Sequence, residues 1–321
     1  MCHLFQTCGK TITSSFYRIH ATLLLGMMCF TGLSAQTEVA ALSVGEVSRV
    51  DFSESENDKI QVGFELISNL IWFEAVIDGQ IGHFVLDTGA PTLLLNDWQS
   101  PTGQQLIGES ADGRAVPLSE GQIESFQLSG VEQGVQRALG LDLSGMESRA
   151  GKRLFGMMGF EQLRNYELMI DYEQGRFELL TKKQQKERNE EPVFSIPFRL
   201  VDHLPVIRLK SNGQALVLAL DSGAGCNLID RKAITGKLRH TPTGEQTRLH
   251  NLSGQAEVVA LIGVESLQHR QHELGPQTFA PTQFGPSLFD DIEIDGLLGQ
   301  PFFQAHRVSI DYRKGRIYFW R

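Results

Sequence analysis

Two short stretches carry the side chains best suited to chemistry. Each sets an acid after an apolar run and follows it with a hydroxyl, a glycine and an alanine: Asp87-Thr-Gly-Ala90 and Asp221-Ser-Gly-Ala224. One such tetrapeptide is an ordinary turn signal, because Asp beside Gly marks loops throughout proteins. Two copies at matching places are different. If the fold brings them together, two carboxyls a few ångströms apart cannot both ionise cheaply and share one proton over a range of pH. The ionised member can draw a proton from a water, and the protonated member can donate to a carbonyl oxygen. The apparent pKa values of such a pair belong to the pair.

The elements that would position the acids are themselves repeated. Phe64 to Leu70, Asp78-Gly-Gln80, His83 to Ala90 and Leu94 to Asn96 recur as Phe198 to Leu204, Asn212-Gly-Gln214, Val217 to Ala224 and Leu228 to Asp230, at a constant offset of 134 residues. Later, Gly159, Met169-Ile-Asp-Tyr172 and Gly175-Arg176 recur as Gly299, Ser309-Ile-Asp-Tyr312 and Gly315-Arg316. Ile71 to Ile77 is aromatic and β-branched and leads into Asp78-Gly79, a hairpin turn signal. Val206 to Lys210 and Asn212-Gly213 repeat that arrangement, and Ala215 to Leu220 reads as a strand buried on both faces. Short strands punctuated by Gly turns predict an all-β fold.

With this repeat the chain resembles the aspartic peptidases, whose mark is Asp-Thr/Ser-Gly-Ala once per lobe and a later hydrophobic-hydrophobic-Gly element. Here the second mark is Met157-Met-Gly159, in the atypical form Phe155-Gly-Met-Met-Gly159, and Asp295-Gly-Leu-Leu-Gly299. Lobe size and tail are similar to the retropepsin-like bacterial type, with two lobes fused in one chain as in pepsin-like enzymes. The resemblance covers about residues 60–321. It implies two pseudo-twofold-related β-barrel lobes with a cleft between them, catalytic Asp87 and Asp221, and an extended peptide or protein substrate. It implies that Thr88 and Ser222 tie the two loops together, with Gly89, Ala90, Gly223 and Ala224 shaping the backbone beside the acids. No metal and no cofactor is required, and one chain, a monomer, suffices. Flap hairpins are expected from Ile107 to Leu118, turning at Asp112-Gly113, and from Arg248 to Ala260, turning at Ser253-Gly254. Neither flap holds a Tyr, a departure from a pepsin-style flap contact.

The remaining sequence sets the frame. With 321 residues, 41% of them hydrophobic and 21% charged, the chain can build a large core. A net charge of -9 argues against a nucleic-acid partner and against a polybasic membrane-surface protein. Residues 1–35 read as an export signal: Lys10 and Arg18 without acids, an apolar run from Ala21 to Phe30, then small residues to Ala35. No other run is long enough to span a membrane. The leader holds Cys2, Cys8 and Cys29, leaving Cys226 without an intrachain disulfide partner. A lipid anchor on Cys29 fits poorly, so periplasmic or extracellular location is expected. The division reads as a signal peptide over 1–35, an N-terminal arm or pro-segment over 36–60, a first lobe over 61–181, a charged linker over 182–192 and a second lobe over 193–321.

Other signals are weaker. Asp171 and Asp311 repeat as turn caps. His269 and His272 have helical spacing without a zinc motif. Cys226 has no Cys–His signature and reads as a small core residue. The rival function is a catalytically inactive peptide-binding module, or a surface-assembly protein, of the same fold.

Overall fold

A computed structural model describes residues 37–39, 60–100, 103–110, 114–236, 238–251, 256–285 and 294–321. The leader over 1–35 lies outside the described residues. So do the two expected flap turns, Asp112-Gly113 and Ser253-Gly254.

The described chain is mostly β, as the Gly-punctuated short runs predict. In the first half, strand Leu70–Ile77 turns through Asp78-Gly79 into strand Gln80–Leu86, which ends at Asp87. In the second, Leu204–Ser211 turns through Asn212-Gly213 into Gln214–Leu220, which ends at Asp221. Both turn residues have positive φ in each case, 47° and 78° and then 49° and 81°. That is the hairpin conformation whose twist matches its strands, and Asp-Gly and Asn-Gly suit it. The two acid-bearing strands bury the same positions. Each starts exposed at its turn and ends fully buried at the acid.

Each acid-bearing strand has a parallel neighbour that ends in the second repeated glycine. Gly156–Met158 runs beside Gln80–Leu86, with Met158 opposite Leu86. Gly296–Leu298 runs beside Gln214–Leu220, with Leu298 opposite Leu220. A Cβ on Gly159 would stand 2.5 Å from the carbonyl oxygens of Ala90 and Thr92, and one on Gly299 2.5 Å from that of Ala224. Close backbone approach therefore explains why each apolar pair is followed by glycine.

The strands form two sheets, of 15 and 11 strands, and neither closes on itself. This corrects the expected β-barrel lobes. Part of the larger sheet is built from both halves in the order Phe194–Pro197, Arg316–Phe319, Val308–Asp311, Glu167–Asp171, Arg176–Leu180, Ile60–Ile67. Strand edges that a barrel would pair within one half are paired across halves instead. At the junction Met169 faces Ser309 in antiparallel register, so residues equivalent in the sequence repeat lie opposite each other.

The largest apolar cluster also crosses the halves. Phe73, Phe84 and Phe177 share it with Phe279, Phe302 and Ile310. Fully burying each such side chain contributes roughly 1.5–3 kcal/mol. Trp72 is fully buried, Trp98 packs against the largest cluster, and Trp320 forms a small buried cluster with Met169 and Leu180.

Two hairpins occur where flaps are expected. Gln104–Glu109 pairs with Ala115–Ile123, and Thr241–Asn251 with Ala256–Val264. Thr37–Val39 adds as a parallel strand to the second hairpin, opposite Leu249 to Asn251. This part of the 36–60 arm thus pairs with the second half of the chain and not with the first. The charged segment read as a solvated linker contains helix Lys182–Glu187, started by Thr181, whose hydroxyl accepts from the Gln184 N–H. Its end docks on the second half: Gln185 donates to Asp311 at 2.9 Å, and the Arg188 guanidinium lies 4.3 Å from the Trp320 ring centroid. His269 and His272 face each other across a short strand pair, not on a helix. No helix among the described residues is long and apolar enough to cross a membrane.

Candidate functional site

Asp87 and Asp221 are both fully buried and stand side by side. A Cβ on Gly223 would come 2.3 Å from the Asp87 carboxyl carbon, so only glycine lets the second loop pass the first acid. Each acid is held by its own loop in the same way. The Gly89 N–H donates to Asp87 Oδ1 at 2.8 Å, and the Gly223 N–H donates to Asp221 Oδ1 at 2.8 Å. Neither Oδ2 has a hydrogen-bond partner among the described residues.

The two hydroxyls lock the loops to each other reciprocally. The Thr88 N–H donates to Ser222 Oγ at 3.0 Å, and the Ser222 N–H donates to Thr88 Oγ1 at 2.9 Å. Each hydroxyl then donates onward to the strand carrying the opposite acid, Thr88 to the Leu220 carbonyl at 3.3 Å and Ser222 to the Leu86 carbonyl at 2.9 Å. Four buried bonds fix the separation of the acids, and all the buried donors involved are satisfied. Ala90 and Ala224 complete the loops, each donating its N–H to the acid's own main-chain carbonyl at 3.2 Å.

Electrostatics follow from this burial. Asp87 is raised well above the usual carboxylate range, first by desolvation and then by the charge of Asp221 beside it. Desolvation pushes Asp221 up to about 7, opposed by its bonds to Asp87, Gly223, Ala224 and Gly89. Two adjacent buried carboxyls, both raised in this way, favour sharing one proton. That arrangement suits transferring one proton from a water and another to a carbonyl.

Four further residues surround the pair, and sequence reasoning did not single them out for the site. His203 is buried, and its Nε2 lies 2.7 Å from the Gly89 carbonyl oxygen. Desolvation lowers this imidazole to about pKa 4, which leaves it neutral with Nε2–H as the donor. Gln300 is fully buried and donates from Nε2 to the Ser222 carbonyl at 2.6 Å. Tyr172 donates its hydroxyl to Gln300 Oε1 at 2.7 Å. Tyr312 is buried with no hydrogen-bond partner for its hydroxyl among the described residues, and desolvation, then the charges of both acids, hold that phenol well above its ordinary range. For His203 and Gln300 the signal was a mismatch in the repeat, whereas Tyr172 and Tyr312 match each other. Asn69 matches His203, and Phe160 matches Gln300, beside positions where the halves otherwise agree.

The remaining sequence candidates lie apart from the pair. Asp171 and Asp311 accept backbone N–H groups in their own turns, from Gln174 at 3.0 Å and from Arg313 and Lys314 at 3.1 Å. Cys226 is buried in an apolar cluster with Leu204 and Ala224. A cavity of about 380 Å³ lies against the first hairpin, lined in part by Asp97, Arg114, Leu118 and Asp142, but by neither paired acid. The paired acids therefore lie outside that cavity. Compared with known proteins, the chain matches no protein-family model, and no curated protein matches it.

Proposed function

We propose that this chain is an exported aspartic endopeptidase of the retropepsin-like type, with two pseudo-twofold-related lobes in one chain. The observation that carries the reading is the buried, paired placement of Asp87 and Asp221 within a reciprocal Thr88–Ser222 lock. Two independent surface turns would not exchange the same four bonds. The antiparallel register of Met169 on Ser309 supports the twofold relation, since equivalent residues face each other across such an axis.

In the reaction, a water between the acids gives one proton to the ionised carboxylate as its oxygen bonds to the peptide carbonyl carbon. The carbonyl oxygen takes the proton of the other acid, giving a tetrahedral diol. The newly protonated acid then passes its proton to the amide nitrogen as the C–N bond breaks, and a diol hydroxyl proton returns to the other acid. The pair ends as it began. On this reading the substrate lies extended beneath the two hairpins, where its backbone can pair with the free sheet edge at Gln104–Glu109.

The test is digestion of an unfolded protein and of a mixed peptide library by the full chain. Cleavage that disappears in Asp87→Asn, and separately in Asp221→Asn, is expected. Equal cleavage by wild type and both variants would remove the reading. Peptide binding without cleavage would leave the inactive binding module.

A further inference from the structure

The halves hold their acids alike but support the holding bonds differently. The Ser222 carbonyl and the Gly223 N–H belong to one peptide group. Gln300 Nε2 donates to that carbonyl at 2.6 Å, and that N–H donates to Asp221 Oδ1 at 2.8 Å. Donation into one end of a peptide polarises it and strengthens donation from the other. Tyr172 fixes the Gln300 amide through Oε1, so its Nε2 faces Ser222. In the first half the corresponding peptide is Thr88–Gly89, which holds Asp87 Oδ1. There Phe160 replaces Gln300. It packs edge-on against Tyr312 with centroids 5.4 Å apart, and an aromatic ring carries no donor for Thr88.

We propose that Gln300, oriented by Tyr172, is a positioning residue that makes Asp221 the ionised and Asp87 the protonated member of the pair. The inference rests on the peptidase reading of this site and assigns its two proton-transfer roles. Asp221 takes the water proton, and Asp87 protonates the carbonyl oxygen.

Each carboxylate takes one backbone N–H on its Oδ1 at 2.8 Å, and the Gly89 N–H in addition favours the charged form of Asp221. After desolvation, both acids raise the Tyr312 phenol. His203 acts in the opposite sense, because it polarises the Gly89–Ala90 peptide beside Asp87. The Ala90 N–H, however, makes its 3.2 Å bond to the main-chain oxygen of Asp87, a looser arrangement than the 2.8 Å bond from Gly223 to a carboxylate oxygen.

The test compares pH profiles of kcat/KM for wild type, Gln300→Leu, Tyr172→Phe and Phe160→Gln, with thermal melting as a control for folding. Gln300→Leu should move the acid limb up by about half a pH unit, roughly a threefold loss on that limb. Tyr172→Phe should move it the same way by less, and carries the test if Gln300→Leu does not fold. Phe160→Gln offers a donor toward Thr88 and should move the limb down. A limb unmoved in folded Gln300→Leu or Tyr172→Phe, in an enzyme that cleaves, overturns the inference and leaves the peptidase reading intact. If wild type never cleaves, the peptidase reading fails, and carboxyl carbon NMR titration of aspartate-labelled protein decides the inference alone. Asp221 ionising first supports it, and Asp87 ionising first overturns it, with Asp87→Asn and Asp221→Asn assigning the signals.

Discussion

At their Asp loops the two halves agree in nearly every bond, and one turn away they diverge. Both loops use the same N–H to carboxylate bond, the same hydroxyl lock and the same glycine at the end of the neighbouring strand. Around them, Asn69 opposes His203 and Phe160 opposes Gln300. Asn69 reaches the Gly225 carbonyl, whereas His203 reaches the carbonyl of Gly89. The common part sets where the acids stand. On the proposed roles, the divergent part makes the two acids chemically unequal, as proton transfer in opposite directions would require.

The comparison breaks most sharply at the acids. On the peptidase reading, Asp87→Asn and Asp221→Asn should each lower kcat by about 10³-fold or more, and the double variant should be little worse than either, because the acids act as one unit. Steady-state peptide hydrolysis measures this. Gly223→Ala is expected to cost about 100-fold, since its Cβ would displace the Asp87 carboxyl from 2.3 Å away. Gly213→Ala, in a turn where a Cβ meets nothing within 4 Å, serves as the contrasting backbone substitution. Its cost should appear in melting temperature and not in kcat, because only its positive φ is strained.

Stability sharpens the comparison further. The acids have raised folded-state pKa values, so the folded chain binds protons more readily than the unfolded one. Their contribution is fullest below the unfolded value near 3.8 and is lost as pH rises through about 7 for Asp221. Asp221→Asn should therefore be more stable than wild type at pH 8 by about 2 kcal/mol, with the gain shrinking toward pH 4, while activity is lost. Denaturant melts across pH would show it. His203 has the opposite sign. Its folded value of about 4 lies below the unfolded 6.5, so stability falls as pH drops through that window. His203→Gln, which keeps a donor toward Gly89, should flatten that acid-side loss by about 1–3 kcal/mol. The lock has an effect of the same order. Thr88→Ala or Ser222→Ala should each cost about 1–3 kcal/mol by leaving a buried N–H unpaired, and together less than the sum, because they share bonds.

What the sequence made legible was local or repeated. The acids, their hydroxyls and glycines, and the turns at Asp78-Gly79 and Asn212-Gly213 are contiguous patterns whose physics is short-ranged. The helix Lys182–Glu187 was visible in principle as a Thr181-x-x-Gln184 capping box, but its charge run reads equally as a linker. Closure of a barrel is a property of strand partners far apart in sequence, and no local pattern shows that Glu167–Asp171 pairs with Val308–Asp311. Gln300 is 78 residues from Ser222 and 128 from Tyr172, so nothing near it announces its partners. Repeat mismatches flanking a strict repeat were the one readable sign.

The strand pair that joins the halves has a consequence for the chain's divisibility. Expressed alone, residues 61–181 would present Glu167–Asp171 as a bare edge whose natural neighbour is a near copy of itself. Such an edge pairs with whatever matches its register. The isolated piece should therefore couple to a second molecule of itself through Met169 on Met169, with sedimentation showing a twofold complex and charged substitution at Met169 releasing single copies.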